Sequence, residues 1–206
     1  LLEICKSLPP QASIKLTVTD GDRCIITSGK SKFTIGTRPT DDFPVLFNGE
    51  LNGIEVNVEQ SELKRLFDKT AFSMAVQDVR FYLTGTLLEI EESFLKAVTT
   101  DGHRMAMCET TITSTATEKK QVILPRKGVG ELQRLMTSND KNIKLYFSNE
   151  FLHAQIHQTT KDGEEYSISL TTKLIDGKFP DYNRVIPIGN NKNALIPLDE
   201  FKNCLT

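Results

Sequence analysis

The same order of elements, a strand, a helix and then further strands, is written twice along this chain, and that repetition limits the fold more than any single motif. In the first copy Ile54, Val56 and Val58 alternate as a strand, and Leu63, Leu66 and Phe67 recur at helical spacing. Val79, Phe81 and Leu83 alternate again, Thr84-Gly85 turns the chain, and residues 87–90, 95–99 and 105–108 complete a meander. In the second copy Val122-Ile123-Leu124 reads as a strand, and Val129, Leu132, Leu135 and Met136 as a helix stripe. Three strands follow, on Ile143, Leu145 and Phe147, on Leu152, Ala154 and Ile156, and on Tyr166, Ile168 and Leu170.

Partial copies flank these two. Leu1, Leu2, Ile4, Cys5 and Leu8 give a helix that Pro9-Pro10 stop, and strands are expected at Ile14–Val18, 24–27 and 32–36, with Asp20-Gly21 as a hairpin turn. This unit closes at Asp41-Asp42-Phe43-Pro44, which parallels Phe179-Pro180 at the end of the second full copy. From Asn193 to Phe201 only the beginning of another copy is present, so the chain is expected to be a fragment. Such units pack as an α+β domain of repeated strand-helix-strand-strand-strand elements, with antiparallel sheets outside and helices together on the inner face.

With 206 residues, 38% hydrophobic and 25% charged, there is material for one large domain or one and a half smaller ones. No run approaches the roughly 18 apolar residues of a membrane span, and no basic n-region with an apolar h-region is seen, so a cytoplasmic location is expected. Cys5, Cys24, Cys108 and Cys204 form no C-x-x-C pair and are expected as reduced, packed thiols. A net charge of −2 excludes a uniformly basic nucleic-acid coat but leaves room for a local basic face.

Chemistry concentrates at Val98-Thr99-Thr100-Asp101-Gly102-His103-Arg104-Met105-Ala106-Met107. Asp-Gly signals a tight two-residue reversal, and it sets an imidazole and a guanidinium beside two soft methionines at the mouth of a sheet. No nucleophile or carboxylate pair accompanies them, so the stretch reads as a binding rim. A second stretch, residues 176–187, mixes prolines, an arginine and apolar side chains, and the two are expected to meet in space.

Enzyme motifs fail on spacing. Ser28-Gly29-Lys30-Ser31 would need a glycine where Cys24 stands and a helix afterwards to cradle a phosphate. His153 and His157 sit on a strand, roughly 13 Å apart, too far for one metal, and are expected to face solvent. Glu89, Glu91 and Glu92 bracket a turn and read as solvated surface, and His103 has no visible nucleophile to activate. On the helices, Lys64, Arg65, Asp68 and Lys69 face outward from the segment 60–74, Arg126, Lys127 and Arg134 from the second helix, and Lys6 from the first. Mixed charges solvate any exposed helix, yet cations on the same side of successive repeat helices form a basic surface.

Four motifs, Thr99 through Arg104, Val122-Ile123-Leu124-Pro125-Arg126-Lys127-Gly128-Val129, Phe72-Ser73-Met74-Ala75 with residues 77–83, and Asp176 through Tyr182, resemble the bacterial DNA polymerase III beta subunit, the sliding clamp. The resemblance implies the clamp fold: a ring of two three-domain subunits, helices lining a hole for duplex DNA and sheets outside. It implies a non-catalytic processivity factor with no cofactor and no metal. Residues 1–48 then belong to the first domain, 49–188 are the whole middle domain, and 189–206 begin the third.

By the same resemblance a pocket for glutamine- and leucine/phenylalanine-containing segments of polymerase, clamp loader and repair proteins falls on Leu83, Thr100, Gly102, His103, Arg104, Met105, Pro180, Arg184 and Val185, with Arg80 at its edge. Methionines at 105 and 107 replace the leucine expected there. DNA-facing positions fall on Lys6, Gln77, Tyr82, Lys127 and Arg134, with Phe81 in place of an expected tyrosine, and the contacts should be few, electrostatic and blind to sequence. Phe33 and Ile35 mark the dimer edge, left unprotected without the third domain of the other subunit. Two rivals remain: a hydrolase-type enzyme around His103 and Arg104, and a repeat scaffold that binds only protein.

Overall fold

In the computed structural model, which describes residues 1–43, 53–136, 141–160 and 162–205, the alternating runs become three antiparallel sheets in two units, Leu1–Glu50 and Leu51–Thr206. The first unit holds helix α1 (Leu2–Ser7) and strands β1 (Lys15–Thr19), β2 (Arg23–Ser28) and β3 (Ser31–Gly36), joined as successive hairpins. Gly21 and Asp22 take positive φ of 83° and 55°, which is what closing β1 onto β2 requires. On one sheet face Cys24 and Ile26 are buried and pair with Leu16, Val18, Phe33 and Ile35 on either side. Strand β3 is an edge of this sheet, with Phe33 and Ile35 half-buried; more open apolar positions of that face are Leu16 and Val18 on β1, 56% and 76% exposed. The closing turn is a 3-10 turn at Thr40–Asp42, and Pro44, like residues 45–52, lies outside the described residues.

The second unit contains the repeat. Strand β4 (Ile54–Glu59) and helix α2 (Gln60–Asp68) lead to β5 (Gly85–Ile90), β6 (Phe94–Thr100) and β7 (Met105–Thr111). A short β8 (Thr113–Ser114) intervenes, and then β9 (Lys120–Pro125) and α3 (Arg126–Leu135) lead to β10 (Asn142–Phe147), β11 (Phe151–Thr159) and β12 (Glu165–Lys173). One sheet runs β12-β11-β10-β4-β8 and the other β7-β6-β5-β9. The leading strand of each copy therefore joins the sheet of the other: β4 pairs with β10 and β9 with β5. Leu63, Leu66 and Phe67 of α2 and Val129 and Leu132 of α3 share one core with the inward rows of both sheets, including Val56, Leu88, Leu124, Ile143 and Leu145. Across the two helices Gln133 Nε2 donates to Asp68 Oδ1 at 2.7 Å. This is an α+β architecture, with the helices on one face of each sheet.

Several expectations are corrected. Residues 79–83 form no strand: Val79 is 96% exposed and Phe81–Leu83 is a 3-10 turn. Asp78 Oδ1 accepts from the backbone N of Arg80 at 2.8 Å, Leu83 N donates to the Arg80 carbonyl and Thr84 N to that of Phe81. Local bonds thus use the groups a strand would offer a neighbour. Helix α2 stops at Asp68 and a 3-10 turn, Ala71–Ser73, follows. His153 is buried, not solvent-facing, because its Nδ1 meets Thr171 Oγ1 at 2.8 Å and its ring lies against Tyr146; His157 is exposed. Glu89 is buried as well, for a reason given below.

The four cysteines are free, but Cys204 is exposed and not packed. Residues 193–197 form no strand, and the helix after them, α4 (Leu198–Cys204), buries no residue. No helix among the described residues is long and apolar enough to cross a membrane.

Leu66 and Leu132 are completely buried, so Leu66→Ala and Leu132→Ala should each lower the unfolding free energy by about 3 kcal/mol in urea titrations followed by circular dichroism. Lys64→Ala, on the outer face of α2, should change it by less than about 0.5 kcal/mol. A loss under about 1 kcal/mol at either leucine contradicts the shared core.

Candidate functional site: an apolar cavity at one end of the four-stranded sheet

Strand β5 is buried along its whole length, from Gly85 to Ile90, because both faces of its sheet are covered. Leu88 and Leu124 face the helices, whereas Leu87, Val98 and Ile123 form a second cluster on the opposite face with Leu83, Phe179 and Tyr182. The cover on that second face is the segment after β12, which is tied in at Ile175, whose backbone N donates to the Ile123 carbonyl at 2.9 Å. The two stretches singled out by their composition meet here.

The β6–β7 connection is a four-residue loop, Asp101 to Arg104, and not a two-residue turn. Asp101 Oδ1 accepts from the backbone N of His103 at 2.9 Å and of Arg104 at 3.0 Å, while Thr100 Oγ1 donates to the Arg104 carbonyl at 2.8 Å. Only Gly102 needs a positive φ, 92°, and a Cβ there would also meet Arg80 Nη1 at 3.1 Å. The Arg80 guanidinium is itself gripped by Asp78, at 3.0 and 2.7 Å, and donates to the Asp101 carbonyl. Arg104 Nε bonds Asp101 Oδ2 at 3.0 Å, its Nη2 donates to the Phe72 carbonyl at 2.9 Å, and the group lies over the Phe72 ring. Both arginines are therefore held by carboxylates of their own loops and stand at the rim.

Between this loop and the segment 180–187 opens a cavity of about 500 Å3. Leu83, only 2% exposed, and half-buried Met105 belong to the apolar cluster beneath it. Of the positions implied by the resemblance, Arg80, Leu83, Thr100, Gly102, His103, Arg104, Met105, Pro180 and Val185 all line it. Arg184 does not; its Nε bonds Asp181 Oδ2 at 3.0 Å and it points into solvent. Asp181, Tyr182, Ile186 and Pro187 line the cavity without having been assigned to it; the composition of 176–187 marked the stretch as a whole but not these positions within it. No serine or cysteine is among the lining residues. Met107 is exposed and is not part of the lining.

A second cavity, about 540 Å3, is lined by Glu59, Glu62, Arg65 and Glu109, with Glu62 bonded to Arg65 at 2.6 Å and Thr110 at 2.8 Å. Glu62 and Arg65 satisfy each other and Glu109 pairs with Lys96 outside the lining, so the walls are charged and polar and suit solvent more than an apolar guest. Among the described residues no group of His, Cys, Asp and Glu is placed to hold a metal.

The positions expected to face DNA are exposed or half-buried. Gln77 sits in a turn at φ 52°, and Tyr82 packs edge-on to exposed Phe81 with ring centroids 5.9 Å apart. Lys127 is exposed in the first turn of α3, and Arg134, in its last turn, is ion-paired with Glu131. Lys6, in the first unit, pairs with Glu3 at 3.5 Å.

A family model for the DNA polymerase III beta subunit, central domain, matches residues 57–181, and one for its N-terminal domain matches residues 1–47. The chain belongs to the DNA polymerase III beta subunit family. It is 42% identical over 192 residues to the beta sliding clamp of Pseudomonas putida, covering 93% of this chain and 49% of that one. The beta sliding clamp of Escherichia coli is 38% identical over 200 residues, 97% of this chain and 51% of that one. The crystal structure of DNA polymerase III subunit beta from Pseudomonas aeruginosa superposes with a TM-score of 0.79 at 42% identity, covering 92% of this chain and 49% of that one. The chain spans about half the length of these relatives.

The loop electrostatics make a testable statement. Bonds from the backbone N of His103 and Arg104, and then from the Arg104 guanidinium, hold the Asp101 carboxyl at about 2, below its ordinary 3.8. The Arg80 side chain and backbone N do the same for Asp78. A depressed carboxyl stabilises the folded form fully above about pH 4, and that contribution is lost as pH falls through about 2. Carbon-detected NMR titration should find both carboxyls near 2, and values near 3.8 contradict the loop geometry.

Proposed function

We propose that this chain is part of a DNA polymerase processivity factor, which encircles duplex DNA as a full-length dimer and tethers polymerase and other replication and repair proteins. The observation that carries this reading is the apolar cavity with a polar lip, assembled from residues 80–83, 100–105 and 180–187 of a clamp-family chain. Its floor suits leucine and aromatic anchors, and its lip of Thr100, His103 and Arg104 suits the orientation of a glutamine-containing peptide. A sliding clamp from Pseudomonas aeruginosa with the same fold (TM-score 0.76, 40% identical) has been solved bound to griselimycin.

On this reading the protein is a non-catalytic, cytoplasmic subunit. A hydrolase at His103 finds no support in the lining, which offers that imidazole no serine or cysteine. Residues 1–48, 49–188 and 189–206 are parts of a first, a whole middle and a third clamp domain, the 48/49 boundary lying outside the described residues. Lys6, Gln77, Tyr82, Lys127 and Arg134 face DNA, and the β3 edge with Phe33 and Ile35 meets the other subunit.

Leu83→Asp should abolish binding of a fluorescein-labelled peptide containing glutamine, leucine and phenylalanine, because an incoming leucine must desolvate the carboxylate at a cost of a few kcal/mol, about 2 or more. His103→Ala, at the solvated rim, should weaken it only about three-fold. Fluorescence anisotropy with folding checked by circular dichroism measures both. Equal losses point to polar recognition, and unchanged binding by folded Leu83→Asp removes the pocket from this surface.

In the full-length protein, Lys127→Ala and Arg134→Ala should weaken duplex binding alike on every sequence, each lowering the slope of log K against log salt by about 1. A change in sequence preference, or an unchanged salt slope, contradicts the DNA-facing assignment.

A further inference from the structure

Glu89 is a carboxylate with 1% of its surface exposed, on the outward row of β5, where sequence alone places solvated surface. Burial of a charge there is costly unless it is fully paired, and three side chains pair it. Gln121 Nε2, from the adjacent strand β9, donates to Oε1 at 2.6 Å. Lys119 Nζ lies 2.8 Å from Oε2, and Tyr182 Oη donates to that same oxygen at 2.8 Å. The first two come from the sheet's own neighbourhood. The third comes from the wall of the cavity.

Tyr182 faces two ways. Its ring lines the cavity beside Ile186 and packs into the cluster with Leu83, while its hydroxyl reaches the buried carboxylate. Among the described residues, the hydrogen bond from Tyr182 to Glu89 is the one that joins the segment 176–187 to the rest of its unit. The remaining hydrogen bonds of that segment are internal, centred on Asp181 with Asn183 and Arg184. Apolar packing of Phe179 and Tyr182 covers the sheet but sets no unique depth for the wall, whereas a directional bond does. A leucine at position 89 would bury apolar area equally well and fix nothing.

We propose that Glu89 is a positioning residue for peptide recognition: through Tyr182 it holds the 180–187 wall at the distance from Leu83 and Met105 that a peptide's apolar side chains fill. The proposal rests on the pocket reading above. Glu89 does not line the cavity, and its effect on binding travels through one hydroxyl.

The test uses the 206-residue chain and the same labelled peptide, with Tyr182→Phe, Glu89→Leu, Glu89→Gln and the double variant Glu89→Leu/Tyr182→Phe. Dissociation constants are measured well below each variant's melting temperature. Tyr182→Phe and Glu89→Leu should each weaken binding roughly five-fold, the worth of one net hydrogen bond. Glu89→Gln, which keeps an acceptor for the tyrosine, should lose less, and the double variant should bind no worse than the poorer single one.

Variants that melt earlier yet bind with the wild-type constant overturn the proposal, as does a double variant whose losses multiply. Should Glu89→Leu fail to fold, Tyr182→Phe with Glu89→Gln decides by the same two criteria. Leu83→Asp, run in parallel, separates the two layers. If it abolishes binding while Tyr182→Phe and the Glu89 variants bind normally, only the positioning role falls. If it binds normally, the pocket falls, and the positioning role with it.

Discussion

The exchange of leading strands between the two repeat copies is the constraint on which the rest depends. Because β9 completes the sheet of β5, β6 and β7, and β4 completes that of β10, β11 and β12, neither copy closes its own sheet. The helices α2 and α3 then cover one face of each sheet with a single apolar core. In the four-stranded sheet the other face is apolar too, at Leu87, Val98 and Ile123, and the chain leaving β12 returns across it. The cavity is the gap left where that returning chain stops short of the β6–β7 loop.

This origin explains the character of the site. Its floor is the edge of the second apolar cluster, where Leu83 of the 3-10 turn and Met105 at the start of β7 lie beneath the gap, and its rim consists of loops that neutralise their own charges. Asp78 and Asp101 occupy the guanidiniums of Arg80 and Arg104, so neither arginine presents a bare charge to a guest, although both keep exposed surface. Shape and apolar contact are left as the main currency of recognition, with softness added by a methionine.

Most of the repeat was legible in the sequence because its signals are local. Period-two runs such as Ile143, Leu145 and Phe147, and the helix stripe Leu63, Leu66 and Phe67, report burial on one face of an element and need no knowledge of partners. The misreadings share the opposite property. Val79, Phe81 and Leu83 alternate, but Asp78 captures the backbone donor of Arg80, those of Leu83 and Thr84 turn back to local carbonyls, and the segment turns instead. Glu89 and His153 read as surface because their burial depends on groups brought in by the fold, Tyr182 from far along the chain for the first and the cross-strand neighbours Thr171 and Tyr146 for the second. The four-residue loop at 101–104 depends on an aspartate oxygen that takes two backbone donors, which the Asp-Gly pair by itself does not reveal. For the cavity, composition alone brought its two walls together, whereas which residues line it came from the family resemblance, and Tyr182, Ile186 and Pro187 came only from the fold.

The most direct measurement is amide chemical-shift mapping of the isotopically labelled chain while a peptide containing glutamine, leucine and phenylalanine is added. Docking at the sheet end predicts that the largest changes fall at Leu83, Gly102, His103, Met105, Val185 and Ile186, with the outer faces of α2 and α3 and the β3 edge unmoved. Changes concentrated on the helices or on β3, with the sheet end silent, would contradict it.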